Sequence, residues 1–392
     1  MPEPFTDPEL DETLDHPLMI SVSGVRGIVG GALTPEIALK FAQAYGIFLR
    51  QSRGTAQPIV VLGRDTRVSG PMFKHAVLAG LLATGCRVID LDIVATPTLQ
   101  LAVPHHHADG AVCLTASHNP IEWNALKFFR PNGMYLDAEL GRELLNLYAM
   151  GRFDCNRWNA LGTVTQDTQA PERHLSKILE TVDAETIRRR TFRVALDCCC
   201  GAGAPICVPL LRALGCAIVE VDCELTGLFP RHPEPLAENL GRLCEAVQRE
   251  RCDAGFAVDA DVDRLSIVND EAVALGEEYS LMLAVEHVLS QRPGAVVTNL
   301  SSTMALDDIA RAHGAVVHRT PIGDVNVSER IRELGAVIGG EGNGGIINPA
   351  IQLGRDAPAA LALVLQLMAG RDQSLTRIAA ALPRYVIVKR SR

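Results

Sequence analysis

The chain has 392 residues, 47% of them hydrophobic and 21% charged, with a formal net charge of −9. That length and apolar content support two to four buried cores at ordinary domain size, and the acidic balance argues against a surface built for nucleic acid or an anionic membrane. No apolar run reaches eighteen residues and no basic-then-apolar leader stands at Met1, so a cytoplasmic protein with no membrane span is expected.

Residues 1–17 are acidic and proline-bearing with little apolar periodicity, which predicts a disordered tail and order from Leu18 onward. Ser21 to Gly27 then places Arg26 beside glycines, a cation aimed at an anion. A pattern follows that recurs three times: an apolar strand, a polar loop, a helix, a glycine that caps the helix, and a second apolar strand. The first copy predicts a strand at Pro58 to Leu62, a helix at Gly70 to Thr84 and a strand at Gly85 to Leu91. The second predicts a strand at Phe192 to Leu196, a helix at Pro205 to Leu214 and a strand at Gly215 to Val221. The third predicts a strand at Gly294 to Thr298, a helix at Thr303 to His313 and a strand at Gly314 to His318. Valine-rich strands of this kind are buried on both faces, so the fold class is α/β, with three similar α/β domains in series around a shared cleft. The expected boundaries are 18–160, 161–272 and 273–383, with 384–392 as a linker.

Loops leaving such sheets gather at strand ends, and three of them carry unusual residues. Leu114 to Pro120 leaves an apolar run and stops at a proline that fixes its own φ and extends Asn119, a bend able to project the hydroxyl of Ser117. An ordinary Ser/Thr/Asn turn is the plain alternative. Lys127 lies just beyond, a second cation that desolvation could convert into a proton acceptor. Asp259, Asp261 and Asp263 alternate after the apolar run Ala254 to Val258, offering hard oxygens suited to Mg²⁺, and Arg264 follows them as an anion partner. A calcium loop of EF-hand type fits poorly, because Arg264 stands where that loop needs glycine; a solvated acidic turn is the simpler alternative. Gly339 to Gly345 follows the predicted strand Gly335 to Ile338 and offers only the carboxylate of Glu341 and the amide of Asn343, a pairing that suits sugar hydroxyls. A plain glycine-rich hairpin is the alternative there, and no P-loop signature exists in the chain.

Two further clusters read as structural. The eleven cysteines fall largely in apolar runs, so Cys198-Cys199-Cys200 is expected to be buried and reduced. His105-His106-His107 follows Pro104 and precedes Asp109-Gly110, which predicts a solvated loop, with a weak metal site as the alternative.

The motifs SGVRG (23–27), GRDTRVSG (63–70), TASHNP (115–120), DADVDR (259–264) and GEGNGG (340–345), in that order, resemble the α-D-phosphohexomutases, from about Leu18 to Arg392. GEGNGG followed by Gly354-Arg355-Asp356 looks most like the phosphoglucosamine mutase-like branch, with phosphomannomutase and phosphoglucomutase as neighbours. The resemblance implies that Ser117 carries phosphate at rest, gives it to one end of a hexose phosphate, and regains it from the other end of the reoriented hexose 1,6-bisphosphate. It implies that Asp259, Asp261 and Asp263 hold Mg²⁺ with Ser117. Arg26, Arg264 and His118 would stabilise charge, Lys127 would act as base, and Gly323, Glu341 and Asn343 would bind the sugar. Glucosamine 6-phosphate is the expected substrate, with mannose or glucose phosphates as the alternative. The chain departs from the family at Gly342 and Gly345, where many relatives carry a polar residue and a histidine, and it is expected to depart also in lacking the fourth domain with its phosphate clamp. That second departure implies a weak grip on the distal phosphate. It also keeps open a sugar-phosphate-binding protein without turnover, a fragment of a mutase, or a phosphatase in which water intercepts the phosphoserine.

Overall fold

A computed structural model describes residues 18–21 and 24–386. The predicted acidic tail over 1–17, Ser23 of the first motif and positions 387–392 of the predicted linker lie outside the described residues.

Fifteen described strands form three sheets. The first is built from β1 (Met19–Ser21), β2 (Gly24–Ile28), β3 (Ile59–Arg64), β4 (Arg87–Ile93), β5 (Gly110–Leu114), β6 (Trp123–Phe129) and β7 (Thr163–Gln166), in the order β1-β2-β6-β5-β3-β4-β7. The second contains β8 (Arg193–Asp197), β9 (Ala217–Val221), β10 (Ala254–Val258) and β11 (Leu265–Val268), in the order β11-β10-β8-β9. The third contains β12 (Val296–Asn299), β13 (Val317–Thr320), β14 (Ile338–Glu341) and β15 (Gly345–Ile347), in the order β13-β12-β14-β15. The helices of the first unit are α1 (Pro35–Arg53), α2 (Gly70–Ala83), α3 (Thr96–His105) and α4 (Ala138–Met150). Those that follow are α5 (Ala170–Leu179), α6 (Ala184–Arg190), α7 (Ala204–Ala213), α8 (Gly241–Glu250), α9 (Glu277–Gln291), α10 (Ala305–Ala312), α11 (Asp324–Leu334), α12 (Ala357–Arg371) and α13 (Leu375–Ala380).

One four-strand pattern underlies all three sheets: β6-β5-β3-β4, β11-β10-β8-β9 and β15-β14-β12-β13 share the same order, with three parallel strands and an antiparallel fourth. The fold is therefore three similar α/β units in series. The central strands β5 and β10 are buried along their whole length, which is why they read as unbroken apolar runs. Gly85, Gly215 and Gly314, just beyond α2, α7 and α10, take φ of 86°, 75° and 66°, the left-handed conformation that a helix-ending glycine supplies at least cost.

The first unit has its own core, in which Phe41 and Tyr45 of α1 pack on Phe128 of β6. The second and third units share one core: Phe192 and Phe256 of the second and Val296 and Ile338 of the third belong to a single cluster with Leu361, Leu363 and Leu365 of α12. Among the described residues no helix is long and apolar enough to cross a membrane.

Several sequence readings shift. The predicted boundary at 160/161 falls ahead of β7, which pairs with β4 from Arg87 opposite Thr163, so this strand extends the first sheet. Its four residues are all exposed and offer no apolar signal. In the third unit Gly335 is the left-handed residue that ends α11, and the strand after it is β14, so Gly339, Gly340 and Glu341 are strand residues and the connection is only 342–344. His105 ends α3, with Pro104 inside its last turn, and His106 pairs with Asp167 at 2.7 Å. The triple-cysteine segment is buried and its thiols are free, as expected.

Candidate active site

The three unusual loops are the same connection repeated. Each joins the third strand of the four-strand pattern to its antiparallel neighbour: β5 to β6, β10 to β11, and β14 to β15. Their ends meet at a cleft of about 570 Å³ lined by Arg26, Ser117, His118, Lys127, Arg264, Gly323, Glu341 and Asn343, all named from the sequence, and by Tyr135, Asp324 and Arg355, which were not given roles there. Asp259, Asp261 and Asp263 lie buried beside it.

Ser117 sits on a bend with φ of 51°, a left-handed conformation a non-glycine residue adopts only when its surroundings impose it. The imposing group is Arg67, whose side chain has 0% exposure. Its guanidinium donates to four carbonyls of the loop, those of Ser117 (2.8 Å), Asn119 (2.7 Å), Pro120 (2.5 Å) and Trp123 (2.9 Å), and to the Asp65 carboxylate at 3.1 Å. Asp65 also accepts from the Thr115 hydroxyl at 2.7 Å, and Thr115 Oγ1 accepts the Ser117 N–H at 2.9 Å. The GRDTR stretch is thus the scaffold of the serine loop. Ser117 Oγ donates to Asp259 Oδ2 at 2.7 Å, which joins the first unit to the second. Arg26, on β2, donates to Asn119 Oδ1 at 3.2 Å.

The acidic loop folds back on itself. Asp259 Oδ1 accepts the backbone N–H of Asp263 and of Arg264, both at 3.1 Å, and Val262 takes φ of 69°, a strained value for a β-branched residue. One carboxylate oxygen from each aspartate lies within 4.8 Å of the others. Asp261 Oδ1 and Asp263 Oδ1 are buried with no hydrogen-bond partner. Orphaned carboxylate oxygens in a buried triad are high in energy unless a cation completes them, and an all-oxygen set suits a hard divalent ion. The residues present therefore fit a metal ion.

Charges in the cleft are sorted by their neighbours. Burial and the charges of Asp261 and Asp263 hold the Asp259 carboxyl well above its usual range. Burial acts the same way on Asp261, but the Lys127 ammonium and hydrogen bonds from Lys127 and Thr96, both at 2.8 Å, outweigh it and hold that carboxyl low. Asp261 returns the effect: despite burial, its charge and hydrogen bond hold Lys127 well above the usual ammonium range, which favours the protonated form where the family resemblance implies a base. Burial, with the charges of Arg264, Lys127 and Arg355, depresses His118 to about 3, so the ring is neutral near pH 7 and its buried Nδ1 has no partner. His118 can stabilise charge there by a hydrogen bond and not as a cation. Arg264 pairs with Glu234 at 2.6 Å and leaves its buried Nε unpartnered.

In the third loop Glu341 is already saturated. Oε1 accepts from Asn299 Nδ2 (2.8 Å) and Gly323 N (3.2 Å), and Oε2 from Arg355 Nη1 (3.0 Å) and Asn343 Nδ2 (3.4 Å). Gly323 thus spends its N–H on Glu341. The Gly342 N–H is held by Ser302 Oγ at 3.0 Å, and Leu265 N donates to Gly344 O at 2.9 Å, tying this loop to the metal loop.

Sequence reasoning missed Arg67, Thr96, Asn299 and Arg355 as site builders. Arg67 and Arg355 lay inside stretches quoted only for the family resemblance, GRDTRVSG and Gly354-Arg355-Asp356. Thr96 lies at the start of α3, where its N–H and hydroxyl both bond Asp261, and nothing local marks it.

Family models described as phosphoglucomutase/phosphomannomutase alpha/beta/alpha domains I, II and III match residues 19–153, 172–272 and 277–385 in turn. The chain is 40% identical over 372 residues to a "Phosphoglucomutase/phosphomannomutase" of Thermococcus kodakarensis, covering 94% of this chain and 81% of that protein. It is 37% identical over 369 residues to a "Probable phosphoglucosamine mutase" of Methanopyrus kandleri, covering 94% and 79%. Among solved structures, a phosphoglucomutase/phosphomannomutase family protein from Burkholderia thailandensis superposes with a TM-score of 0.83 at 27% identity, over 94% of this chain and 81% of the other. Three matched units in order, at this identity and coverage, place the chain in the phosphoglucomutase/phosphomannomutase family, as an enzyme of the phosphohexomutase class.

Proposed function

We propose that the chain moves a phosphoryl group between O6 and O1 of a hexose phosphate through phosphorylated Ser117, with glucosamine 6-phosphate as the preferred substrate. The observation that carries this reading is the buried meeting of Ser117 Oγ with Asp259 at 2.7 Å, beside two carboxylate oxygens that lack partners. Mg²⁺, held by Asp259, Asp261, Asp263 and the Ser117 oxygen, would neutralise the charge of the transferring group.

The chain's own residues supply the rest. The resting phosphoserine loses its phosphoryl group to a sugar hydroxyl, so the bond from phosphorus to Ser117 Oγ breaks as a bond to the sugar oxygen forms. Lys127, protonated on Asp261 and lining the same cleft, would return a proton to Ser117 Oγ, the proton of the sugar hydroxyl would leave to a phosphoryl oxygen, and the neutral His118 ring would steady the charge by a hydrogen bond. Arg26 and Arg264 hold phosphate charge, and Gly323, Glu341 and Asn343 shape the sugar subsite. After the hexose 1,6-bisphosphate reorients, the same steps run in reverse from its other end.

A second reading, mannose or glucose phosphate as substrate, is supported by the saturation of Glu341, whose oxygens are both engaged and poorly free to attract an ammonium. The test is phosphorus NMR of turnover with the three sugar phosphates, together with intact mass of the protein. The proposal expects phosphate on Ser117 and the highest kcat/KM for glucosamine 6-phosphate. A mannose preference of tenfold or more reverses the substrate order, and active protein without phosphate at Ser117 overturns the mechanism.

A further inference from the structure

The Gly354-Arg355-Asp356 segment has no step in the reaction above, yet it is anchored on both sides. Gln352 Nε2 donates to the Pro97 carbonyl at 3.1 Å and to Asp356 Oδ2 at 2.9 Å, and a Cβ on Gly354 would strike the side-chain amide of Gln100 in α3. Asp356 bonds the buried His174 of α5 at 2.8 Å and caps α12 through the Ala359 N–H at 3.0 Å. Between these anchors the Arg355 side chain enters the cleft. Nη2 meets Asp263 Oδ2 at 2.5 Å and Nη1 meets Glu341 Oε2 at 3.0 Å, with Asp324 Oδ2 at 3.4 Å. One guanidinium therefore spans a carboxylate of the acidic loop on the second sheet and one of the sugar loop on the third. Gly345 belongs to the same arrangement, because a Cβ there would collide with Arg355 Cδ.

We propose that Arg355 is a positioning residue that sets the sugar loop at a fixed separation from the metal loop, with Gly345 keeping the path of its side chain open. This rests on the assignment of the cleft to a hexose phosphate. Balancing charge at this point would require only a cation. Bridging Asp263 and Glu341 requires the planar fork, which presents two directed donors and which lysine lacks.

The test uses the metal-stripped chain and two calorimetric titrations: Mn²⁺ alone, and glucose 1,6-bisphosphate with Mn²⁺ present on protein first equilibrated with the bisphosphate and desalted, so that Ser117 has already taken whatever phosphate it accepts and no transfer accompanies binding. The variants are Arg355→Lys, Arg355→Met and Gly345→Ala. Arg355→Lys and Gly345→Ala retain the local charge, so their Mn²⁺ affinity should stay within about threefold of wild type, while the bisphosphate Kd should rise about tenfold or more in both as the bridge is lost. Gly345→Ala reaches that result without altering Arg355, since its methyl group displaces the side chain. Arg355→Met should weaken the bisphosphate equally and tighten Mn²⁺, because Asp263 loses its cation. Wild-type bisphosphate affinity in both Arg355→Lys and Gly345→Ala would overturn the proposal, as would a joint fall of Mn²⁺ affinity, bisphosphate affinity and melting temperature in those two, which marks a merely structural role. A wild type that binds the bisphosphate but turns over no hexose phosphate counts against the reaction and leaves the variants' Kd to decide the role of Arg355; a wild type that binds none overturns both.

Discussion

Replacing Arg67 with methionine should release the serine loop. Methionine fills much of the same volume but donates nothing, so the carbonyls of Ser117, Asn119, Pro120 and Trp123 and the buried Asp65 carboxylate all lose a charged partner at once. Removing one member of a buried ion pair typically costs about 3–5 kcal/mol. At roughly 2–4 °C per kcal/mol for a unit of this size, the melting transition of the first unit should fall by about 10 °C. The chemistry should suffer more than the fold. A non-glycine residue in a sparsely populated backbone region stores about 1–3 kcal/mol, so a loop freed from Arg67 relaxes and draws the Ser117 hydroxyl away from Asp259. A displacement of about 1 Å at a reacting group can cost a hundredfold in rate. The assay is intact-mass detection of phosphate transferred from glucose 1,6-bisphosphate to Ser117, run at a temperature below both melting transitions, beside calorimetric scans. Arg67→Lys should fall between the two proteins, since one ammonium cannot reach four carbonyls. A methionine variant that keeps the wild-type transition and phosphorylates within threefold of wild type would refute this reasoning.

Three further outcomes are expected. Ser117→Ala should take up no phosphate and show no mutase turnover even with added bisphosphate, by intact mass and phosphorus NMR; full activity would remove the proposed nucleophile. Asp261→Asn should lower turnover by roughly a hundredfold and weaken Mn²⁺ in a direct titration, with unchanged circular dichroism, while excess chelator should silence the wild type. Stability should fall on acidification through His287, which burial and Arg371 depress to about 4. Because this folded value lies below the unfolded one near 6.5, the unfolded chain binds the extra proton between those values, so stability rises with pH across that window and is lost as pH falls. Relative to His287→Leu, the wild type should lose about 1.5 kcal/mol between pH 6.5 and pH 5, measured by urea unfolding; parallel curves would show that the histidine charges freely in the folded state.

The parts of the site that could be read from the sequence are those in which chemistry and backbone constraint lie within a few residues. Ser117 with Pro120, and three alternating aspartates after a buried strand, declare themselves locally, as do the valine-rich strands and the glycines that end α2, α7 and α10. What was illegible depends on contacts between distant segments. Thr96 serves the metal loop from 165 positions away, and Arg355 reaches Asp263 across 92. Gly342 and Gly345 stood out in the sequence only as departures from the family in a glycine-rich stretch, yet a side chain there would strike Glu278 or Arg355 respectively, so space selects glycine at both. The edge strand β7 escaped because its residues carry no apolar alternation, and β14 was placed early because glycines mask a strand.

The repetition of one hairpin connection in three sheets also bears on how this enzyme comes into being. Serine, acid triad and sugar loop emerge from the ribosome in succession, each on a sheet able to nucleate before the next is made. A nascent chain that has completed only the first sheet presents Ser117 without Asp259 as its partner, and one that has completed two still lacks Glu341. Since the second and third units share a core organised on α12, closure of the site coincides with burial of that late helix. If Ser117 takes phosphate only in the assembled site, the phosphorylated fraction of freshly made protein would lag behind the chain itself and rise only with burial of α12.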